Sequence, residues 1–354
     1  MRLTVDIEKM YGDFKLKSNF SVDNERFALL GTSGCGKTLT LKCISGIEKP
    51  DRGIITLGDK VLFDSEKKIN VPSRQRETGF LFQNYALFPN MTVRQNLYCV
   101  AKDKKFADEL LDRFCINDVA DKFPSELSGG QSQRTALARL LVTKPTLLLL
   151  DEPFSALDNY MRARVEHEIL DLLDEFDGPS IMVTHDRNEA YRMSDRIAVM
   201  DNGNIVEVQS RNDFFDHPDT VAAARLTGCK NITRISKNED GSFRAVDWGM
   251  NLEPAVGKIL KDGGYAGYRA HFFSYVEKDA EELPVNYVRC NLVRVIEDTF
   301  SIVICFKSVG NESEEPDSLM TWITDKEEWE KVKDEVMNRS FILRLDPANL
   351  MTLK

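Results

Sequence analysis

The 354-residue sequence has few cysteines and histidines and no long apolar run. Its seven cysteines include no Cys-x-x-Cys pair, and only four histidines are present. An odd number of scattered thiols fits free cysteines in a reducing compartment better than a disulfide framework or a zinc site. The longest apolar run, TLLLL before Asp151, is far shorter than the ~20 residues of a membrane-spanning helix. We therefore expect a cytosolic chain that reaches a membrane only through a partner.

Basic residues are in the minority. Lysine and arginine total 47 against 57 aspartates and glutamates, which gives a formal net charge of −10. Because nucleic-acid binders gain much of their affinity from cations that neutralise phosphates, we expect no nucleic-acid partner. The opening segment MRLTVDIEKMYGDFK mixes charges with apolar residues and so lacks the apolar core of a signal peptide. The length and the 42% hydrophobic content predict a globular protein of two or three domains.

Two regions of different pattern divide the chain. From residue 1 to about 215, short apolar runs such as RFALLG and SIMVTHD alternate with helical stretches. This alternation predicts a parallel sheet covered by helices on both faces. The pattern loosens around Pro218 and Gly228, and later runs such as SIVICFKS are typical of strands between charged turns. We predict an α/β domain over residues 1–228 and a small all-β domain over 229–354.

A glycine-rich loop, GTSGCGKT, follows the apolar run RFALL and precedes the helical run LTLKCISGI. The loop matches the phosphate-binding pattern G-x-x-x-x-G-K-[S/T] in the strand–loop–helix context that this pattern needs. Glycines let backbone N–H groups converge on phosphate oxygens at the positive end of a helix. Lys37 is then expected to reach the β- and γ-phosphates of a nucleotide, and Thr38 to ligate Mg²⁺. The predicted loop residues are Gly31, Thr32, Ser33, Gly34, Cys35, Gly36, Lys37 and Thr38.

Alternatives stay open for the loop as a whole and for Cys35 within it. The first is a glycine-rich turn that joins a strand to a helix without binding a ligand. The second concerns Cys35, which is either a tolerated small residue or a thiol that makes a phosphate site sensitive to alkylation. The strand–loop–helix context favours phosphate binding over the plain turn.

Asp151 and Glu152 end the apolar run TLLLL. Ligands of open α/β sheets bind at the carboxyl ends of the strands, so this pair is expected beside the phosphate loop. We predict that Asp151 holds Mg²⁺ through water. Glu152, pointing the other way along an extended chain, is predicted to polarise the attacking water as general base. An acidic turn after a core strand is the plainer alternative.

The segment SELSGGQSQRTALAR places two glycines in the first turn of a helix, where each costs about 1 kcal/mol relative to alanine. Ser128 and Gln131 fit a capping box, which leaves Gly129 and Gly130 unexplained. Glycine allows a ligand to approach the backbone closely. A phosphate is the natural candidate, because the helix N-terminus favours an anion.

With LSGGQ between the phosphate loop and LLLLDEP, the sequence resembles the ABC transporter ATPase family. The resemblance implies a P-loop NTPase fold with a helical subdomain, over about residues 84–140. It further implies that two chains sandwich two ATP molecules, so that the signature helix of one chain completes the nucleotide site of the other. The residues implied to do so are Ser128, Gly129, Gly130 and Gln131.

Four more site residues are implied by the same resemblance. Gln83, in FLFQNYALFP, matches a loop that senses Mg²⁺ and contacts a transmembrane partner. Asp158, in SALD, matches a segment that crosses the dimer interface. His185, in IMVTHD, matches a residue that contacts the γ-phosphate and orients the water. Tyr11, in KMYGDF, lies where the family places an aromatic ring against adenine, although an aromatic near a strand is usually core.

The predicted helical subdomain has a second capping-box pattern, formed by Thr92 and Gln95. Three apolar residues that follow Gln83 either line a groove for a coupling helix of the membrane partner or pack in the core. They are Tyr85, Leu87 and Phe88.

A single ATPase unit with a β-rich tail resembles the importer branch, whose C-terminal extension carries an OB-like (TOBE) regulatory domain. The segments NYALFP and GYRAHFFSYV most resemble those of molybdate, tungstate or sulfate importers, with iron(III), polyamine and sugar importers as alternatives. The implied partners are a second copy of the chain, permease subunits and, indirectly, a solute-binding protein. The implied location is the cytoplasmic face of the cell membrane.

Two further alternatives concern the tail and the whole chain. The OB-like tail would either bind a small regulatory oxyanion or only stabilise the dimer. A soluble ABC ATPase that acts on ribosomes or DNA is the rival to a transport function. The acidic charge, the single cassette and the regulatory-type tail stand against that rival.

Overall fold

The computed structural model describes residues 1–155, 159–256, 259–277, 283–311 and 316–354. These residues form two compact units, Met1–Arg211 and Asn212–Lys354. The division lies ahead of the predicted domain boundary at 228/229, because the segment between the two positions packs within the second unit. There the N–H of Val221 donates to the C=O of Lys354 at 3.4 Å.

A mixed sheet forms the centre of the first unit. Its strands are β1 (Leu3–Tyr11), β2 (Phe14–Val22), β3 (Arg26–Leu30), β4 (Arg52–Leu57), β5 (Lys60–Asp64), β6 (Ile69–Asn70), β7 (Thr78–Leu81), β8 (Leu147–Asp151), β9 (Ser180–Thr184), β10 (Arg196–Asp201) and β11 (Asn204–Ser210). Within the described ranges their order in the sheet is β6-β5-β4-β1-β2-β11-β10-β3-β9-β8-β7.

The helices of the first unit are α1 (Lys37–Ser45), α2 (Val93–Tyr98), α3 (Lys104–Arg113), α4 (Gly129–Leu141), α5 (Asn159–Glu175) and α6 (Arg187–Met193), with α7 (Arg211–Asp216) at the division between the units. Short 3₁₀ turns lie at Ser73–Gln75, Asn117–Val119 and Pro124–Glu126. None of the helices in the described part of the chain is long and apolar enough to cross a bilayer.

The central strands are parallel and buried, as the apolar runs predict. Strands β7, β8, β9, β3 and β10 pair in parallel, and every residue of β8 and β9 is buried. Such strands need helices on both faces, which explains their unbroken apolar sequence. The remaining strands add an antiparallel part that the sequence did not predict, in which β1 pairs with both β2 and β4.

Helices α2, α3 and α4 form a helical region over residues 93–141, close to the predicted range of about 84–140, and a shared apolar core joins them to β8. Both predicted capping boxes are confirmed. Thr92 accepts from the N–H of Gln95, and the Gln95 side chain accepts from the N–H of Thr92. Ser128 and Gln131 make the same reciprocal pair at the start of α4, at 3.3 and 2.9 Å.

The second unit is mainly antiparallel β-structure. Its strands are β12 (Asn231–Lys237), β13 (Phe243–Ala245), β14 (Met250–Leu252), β15 (Tyr265–Tyr268), β16 (Ser274–Val276), β17 (Tyr287–Glu297), β18 (Ser301–Ser308), β19 (Met320–Asp325), β20 (Phe341–Arg344) and β21 (Met351–Leu353). In the residues described, they form two five-stranded sheets, β14-β13-β12-β15-β21 and β16-β20-β17-β18-β19. Its helices are α8 (Val221–Leu226) and α9 (Lys326–Asn338), with 3₁₀ turns at Ala270–Phe272, Pro316–Ser318 and Pro347–Asn349. The buried rings of Trp248 and Trp322 lie in its core.

Candidate functional site

The glycine-rich loop joins the end of β3 to the first turn of α1, as the sequence predicts. Gly34 and Gly36 have φ angles of +82° and +107°, in the left-handed region that favours glycine. At Gly31 a Cβ would lie 2.3 Å from the carbonyl oxygen of Met200, so a side chain has no room there. The backbone thus turns tightly ahead of the N-terminus of α1, where the helix dipole favours an anion.

Lys37 and Cys35 are both buried. Lys37 is 4% exposed, and its ammonium donates to the carbonyl oxygens of Gly31 at 2.8 Å and Thr32 at 2.9 Å. Cys35 is buried in the core beneath the loop, and burial raises the pKa of its thiol although Lys37 opposes the shift. This position favours the interpretation of Cys35 as a tolerated small residue that offers a ligand only its backbone.

Thr38 and Asp151 place two oxygen donors together. The Thr38 hydroxyl, in the first turn of α1, donates to Asp151 Oδ1 at 2.7 Å, at the end of β8. Burial raises the pKa of Asp151, the hydrogen bond from Thr38 opposes that shift, and the charge of Glu152 adds to it. Hydroxyl and carboxylate oxygens are ligands that Mg²⁺ prefers, so the pair fits the predicted metal site chemically.

Glu152 and His185 follow neighbouring parallel strands. The distance from Glu152 Oε1 to His185 Nδ1 is 3.3 Å, with 18% and 56% of the two side chains exposed. The N–H of Glu152 donates to the C=O of Val183 in β9 at 3.0 Å. Glu152 has a φ of +45°, which is uncommon for a residue with a side chain and marks a sharp turn after the strand. An acid and an imidazole thus meet at the carboxyl ends of β8 and β9.

A cleft of about 640 Å³ opens in front of the loop. Among the residues that line it, those predicted from the sequence are Tyr11, Ser33, Gly34, Gly36, Lys37, Thr38, Gln83 and Glu152. The cleft therefore brings together residues from β1, the glycine-rich loop, the segment after β7 and the end of β8. Other predicted loop residues, Gly31, Thr32 and Cys35, belong to the loop but do not line the cleft.

Sequence reasoning missed four of the lining residues: Phe14, Leu39, Lys42 and Glu48. Phe14 pairs with Tyr11 across the two-residue turn between β1 and β2. The segment YGDF carried a signal for this arrangement, because a Gly-Asp turn between alternating apolar residues is typical of a hairpin. Tyr11 is 62% exposed at the cleft, which does not fit the core role that an aromatic near a strand usually has.

Comparison with known proteins agrees with this geometry. Residues 17–155 match the family model described as ABC transporter. The chain is 37% identical over 308 residues to the trehalose/maltose import ATP-binding protein MalK of Thermococcus litoralis, and the match covers 82% of each chain. This chain belongs to the ABC transporter family, among its import ATP-binding proteins. The chain is therefore an ABC ATPase, which binds and hydrolyses ATP.

Other relatives match shorter stretches of the chain with similar identity. The sulfate/thiosulfate import ATP-binding protein CysA of Acinetobacter baylyi is 41% identical over 257 residues, covering 66% of this chain and 71% of that protein. The spermidine/putrescine import ATP-binding protein PotA of Nitratidesulfovibrio vulgaris is 41% identical over 243 residues, covering 65% of this chain and 64% of that protein. The solved dimer of the ATP-binding cassette MJ0796 bound to ADP and Pi is 26% identical, with a TM-score of 0.51, and covers 60% of this chain and 99% of that one.

The signature segment of this ABC ATPase does not line the cleft formed by the described residues. Ser128 caps α4, and both Ser128 and Gly129 are exposed, while Gly130 is buried. Gln131 is engaged in the capping box with Ser128. Asp158, the other residue implied to act across a dimer, lies outside the described residues.

The three apolar residues after Gln83 differ in burial. The sequence predicts that they either line a groove or pack in the core. Tyr85 is 8% exposed and packs with Leu87 in the core of the helical region, whereas Phe88 is 44% exposed. Tyr85 and Phe88 both line a groove of about 350 Å³. The Phe88 ring lies against the guanidinium of Arg139, with 5.1 Å from that group to the ring centroid. The groove thus has an exposed aromatic rim above a buried floor.

Proposed function

We propose that this ABC ATPase binds ATP with its phosphates on residues 31–38 and its adenine ring against Tyr11. The observation that supports the proposal most is the meeting of Lys37, Thr38, Gln83 and Glu152 in one cleft, although they come from separate parts of the chain. The positive helix end and the Lys37 ammonium suit a triphosphate. The exposed Tyr11 suits a stacked purine.

We propose that Thr38 and Asp151 hold Mg²⁺, with Gln83 as a third ligand from the facing loop. The 2.7 Å approach of the Thr38 hydroxyl to the Asp151 carboxylate supports this assignment. When bound, the ion would neutralise charge on the β- and γ-phosphates. Lys37 would add a second positive charge on the same phosphates.

We propose that Glu152 is the general base for the attacking water and that His185 orients this water and contacts the γ-phosphate. The 3.3 Å distance between their side chains supports a shared role. A carboxylate beside an imidazole can accept a proton from water while the imidazole holds the water in place. Both groups lie where strand ends present ligands in open α/β sheets.

We propose that two copies of the chain form each nucleotide site. Ser128, Gly129, Gly130 and Gln131 of one copy would close on the phosphates held by Lys37 and Thr38 of the other, with Asp158 at the interface. The exposure of Ser128 and its position outside the cleft support this arrangement, as does the dimeric state of MJ0796. ATP would then favour the closed dimer, since a ligand shifts an equilibrium toward the state that it binds better.

We further propose that the dimer powers an importer at the cytoplasmic face of the membrane, through permease subunits that dock near Gln83. A solute-binding protein would deliver the solute, and no nucleic acid is involved. We propose an oxyanion such as molybdate, tungstate or sulfate as the solute. Iron(III), polyamines and sugars remain alternatives, because relatives named for sulfate, spermidine and maltose import are about equally similar.

The proposed mechanism is tested by Glu152→Gln in the full-length chain. Removing the base should lower kcat at least about 100-fold, the lower end of what general-base catalysis contributes. Because shape and ATP binding are kept, the variant should form an ATP-dependent dimer in size-exclusion chromatography. Glu175→Gln is the matched control, since its carboxylate pairs with Arg113 on the surface. Hydrolysis by Glu152→Gln at the parental rate would refute the assigned role.

The transport proposal is tested by co-purification and by the solute. Detergent extraction of tagged protein should retain a membrane subunit, whereas co-purified ribosomes or DNA would support the non-transport rival.

For the second unit, we propose an OB-like fold over residues 229–354 that binds a regulatory oxyanion or stabilises the dimer. Calorimetry of the full chain with molybdate, tungstate and sulfate separates these two roles, because only the first predicts heat of binding.

A further inference from the structure

The side chain of Gln133, in the middle of α4, is fully buried and joins two other parts of the ABC ATPase. Its Nε2 donates to the C=O of Pro153 at 2.9 Å, and its Oε1 accepts from the hydroxyl of Tyr85 at 3.2 Å. The orientation of the amide is fixed, because the Pro153 carbonyl can only accept a hydrogen bond. One amide thus bonds the loop after Gln83 and the turn that carries Glu152.

Both ends of this connection have a backbone conformation that is uncommon for residues with side chains. Tyr85 and Ala86 have φ angles of +60° and +43°, and Glu152 has +45°. Such conformations are strained and persist only when the surrounding structure fixes them. The Gln133 amide contacts both turns, through the Tyr85 hydroxyl and the Pro153 carbonyl.

Other hydrogen bonds hold each turn separately. Arg139 donates to the C=O of Tyr85 at 2.9 Å. The N–H of Glu152 donates to Val183, and its C=O accepts from the N–H and hydroxyl of Ser155 at 3.2 and 3.0 Å. Of the hydrogen bonds described for these two turns, those of Gln133 connect one turn to the other.

We propose that Gln133 is a positioning residue that sets the Glu152 turn through the Pro153 carbonyl and ties it to the Gln83 loop through Tyr85. A displacement of the loop would then move the Glu152 carboxylate through a chain of two buried hydrogen bonds. A buried amide is costly unless both of its ends are paired, so neither bond can be lost without a penalty. The inference rests on the proposed role of Glu152 as general base.

Gln133→Met tests the proposal, because it keeps the length of the side chain and removes both hydrogen bonds. We expect kcat for ATP hydrolysis to fall about 10- to 100-fold, the scale on which small misplacements of a catalytic group act. KM for ATP should stay within about threefold, because Lys37 and Thr38 are untouched. Tyr85→Phe should act in the same direction. Adding Tyr85→Phe to Gln133→Met should lower kcat no further, since both act on one chain of bonds.

A pH readout separates positioning from simple packing. In Gln133→Glu, a protonated carboxyl can donate to Pro153 and accept from Tyr85, whereas the ionised form can only accept. Burial favours the protonated form, so kcat should approach the parental value at about pH 6 and fall below it by about pH 8.5. Gln133→Met should show a constant deficit over the same range. A Gln133→Glu profile parallel to the parent would overturn the proposal.

Two control variants each remove a hydrogen bond from the same helical region. Neither of these bonds connects the Tyr85 turn to the Glu152 turn. Tyr98→Phe deletes a hydroxyl that donates to Asp108 at 2.7 Å, and Thr143→Val deletes one that donates to the Leu140 carbonyl at 2.8 Å. Both should keep the parental kcat. Parental kcat in Gln133→Met, or an equal loss in the controls, would refute the inference. Parental activity of Glu152→Gln would instead refute the general-base role, whatever the Gln133 variants show.

Discussion

The hydroxyl of Thr38 lies 2.7 Å from the carboxylate of Asp151, although 113 residues separate them in the chain. Thr38 lies in the first turn of α1, after the glycine-rich loop, and Asp151 ends β8. The close approach follows from the sheet, in which β3 and β8 both pair with β9. Two motifs recognised separately in the sequence thus form one oxygen-donor pair.

Loss of either donor should impair hydrolysis through the metal. We expect Asp151→Asn to lower kcat at least about 100-fold, since a bound ion contributes several kcal/mol to such a transition state. Thr38→Val should shift the Mg²⁺ dependence of hydrolysis to higher concentrations. Thr143→Val, which removes a hydroxyl bonded to the Leu140 carbonyl on α4, is the control and should not change the Mg²⁺ titration. Unchanged Mg²⁺ dependence in Thr38→Val would contradict the assignment.

Cys35 should react slowly with thiol reagents although it lies in the glycine-rich loop. Its burial raises the pKa of the thiol, so less thiolate is present near neutral pH. Cys99 and Cys115 are exposed and serve as internal references. We expect iodoacetamide to modify Cys35 at least about tenfold more slowly than either reference, as measured by peptide mass spectrometry over time. Equal rates would show that the loop opens to the reagent.

Asp247 should stabilise the second unit in a pH-dependent way. Burial alone would raise the pKa of its carboxyl, but hydrogen bonds from Arg234 and Thr233 outweigh burial and hold the pKa below its ordinary value. The contribution is therefore present above the unfolded pKa and is lost as the pH falls through the lowered folded pKa. We expect Asp247→Asn to cost about 2 kcal/mol at pH 7 and less near pH 3, measured by urea unfolding.

A surface variant provides the comparison for Asp247→Asn. Glu330→Gln removes a carboxylate that pairs with Lys333 on the exposed face of α9. Its effect on unfolding should stay within about 0.5 kcal/mol at either pH. A cost of Asp247→Asn that does not change between the two pH values would contradict the assigned ion pair.

The carboxyl of Glu189 should contribute to folding stability with the opposite pH dependence to that of Asp247. Burial raises the pKa of its carboxyl, against a hydrogen bond of 2.5 Å from Thr184, the residue before His185. A raised folded pKa favours the folded state below the unfolded pKa and loses that benefit as pH rises through the folded value. Glu189→Gln does not titrate, so its stability relative to the parent should increase between pH 4 and pH 8 in urea unfolding. A relative stability that decreases over this range would be the contrary result.

Short-range patterns explain which parts of the site the sequence could predict. The glycine-rich loop, the acidic pair after β8 and the capping boxes of α2 and α4 each lie within a few residues, so local chemistry determines them. Phe14 and the Gln133 connection depend on contacts between distant segments. Gln131 and Gln133 are glutamines two positions apart, and no sequence pattern distinguishes their roles. In the structure Gln133 is fully buried, whereas Gln131 takes part in the capping box of α4.

The fold shows the same contrast. Apolar runs predicted the buried parallel strands, because such strands need no polar face. The antiparallel part depends on the pairing of Leu3 with Leu57 and of Leu3 with Val22, which no local periodicity determines. The division at 211/212 also differs from the predicted 228/229, since Pro218 and Gly228 both lie within the second unit.

The proposed stacking of a nucleotide base on Tyr11, in the hairpin that also carries Phe14, has a consequence for nucleotide choice. A ring that stacks on a base reads its face, and every base presents a similar face. With recognition of this kind, we expect GTP to support hydrolysis with a KM within about tenfold of that for ATP. The nucleotide consumed would then reflect the concentrations that surround the protein more than discrimination between purines.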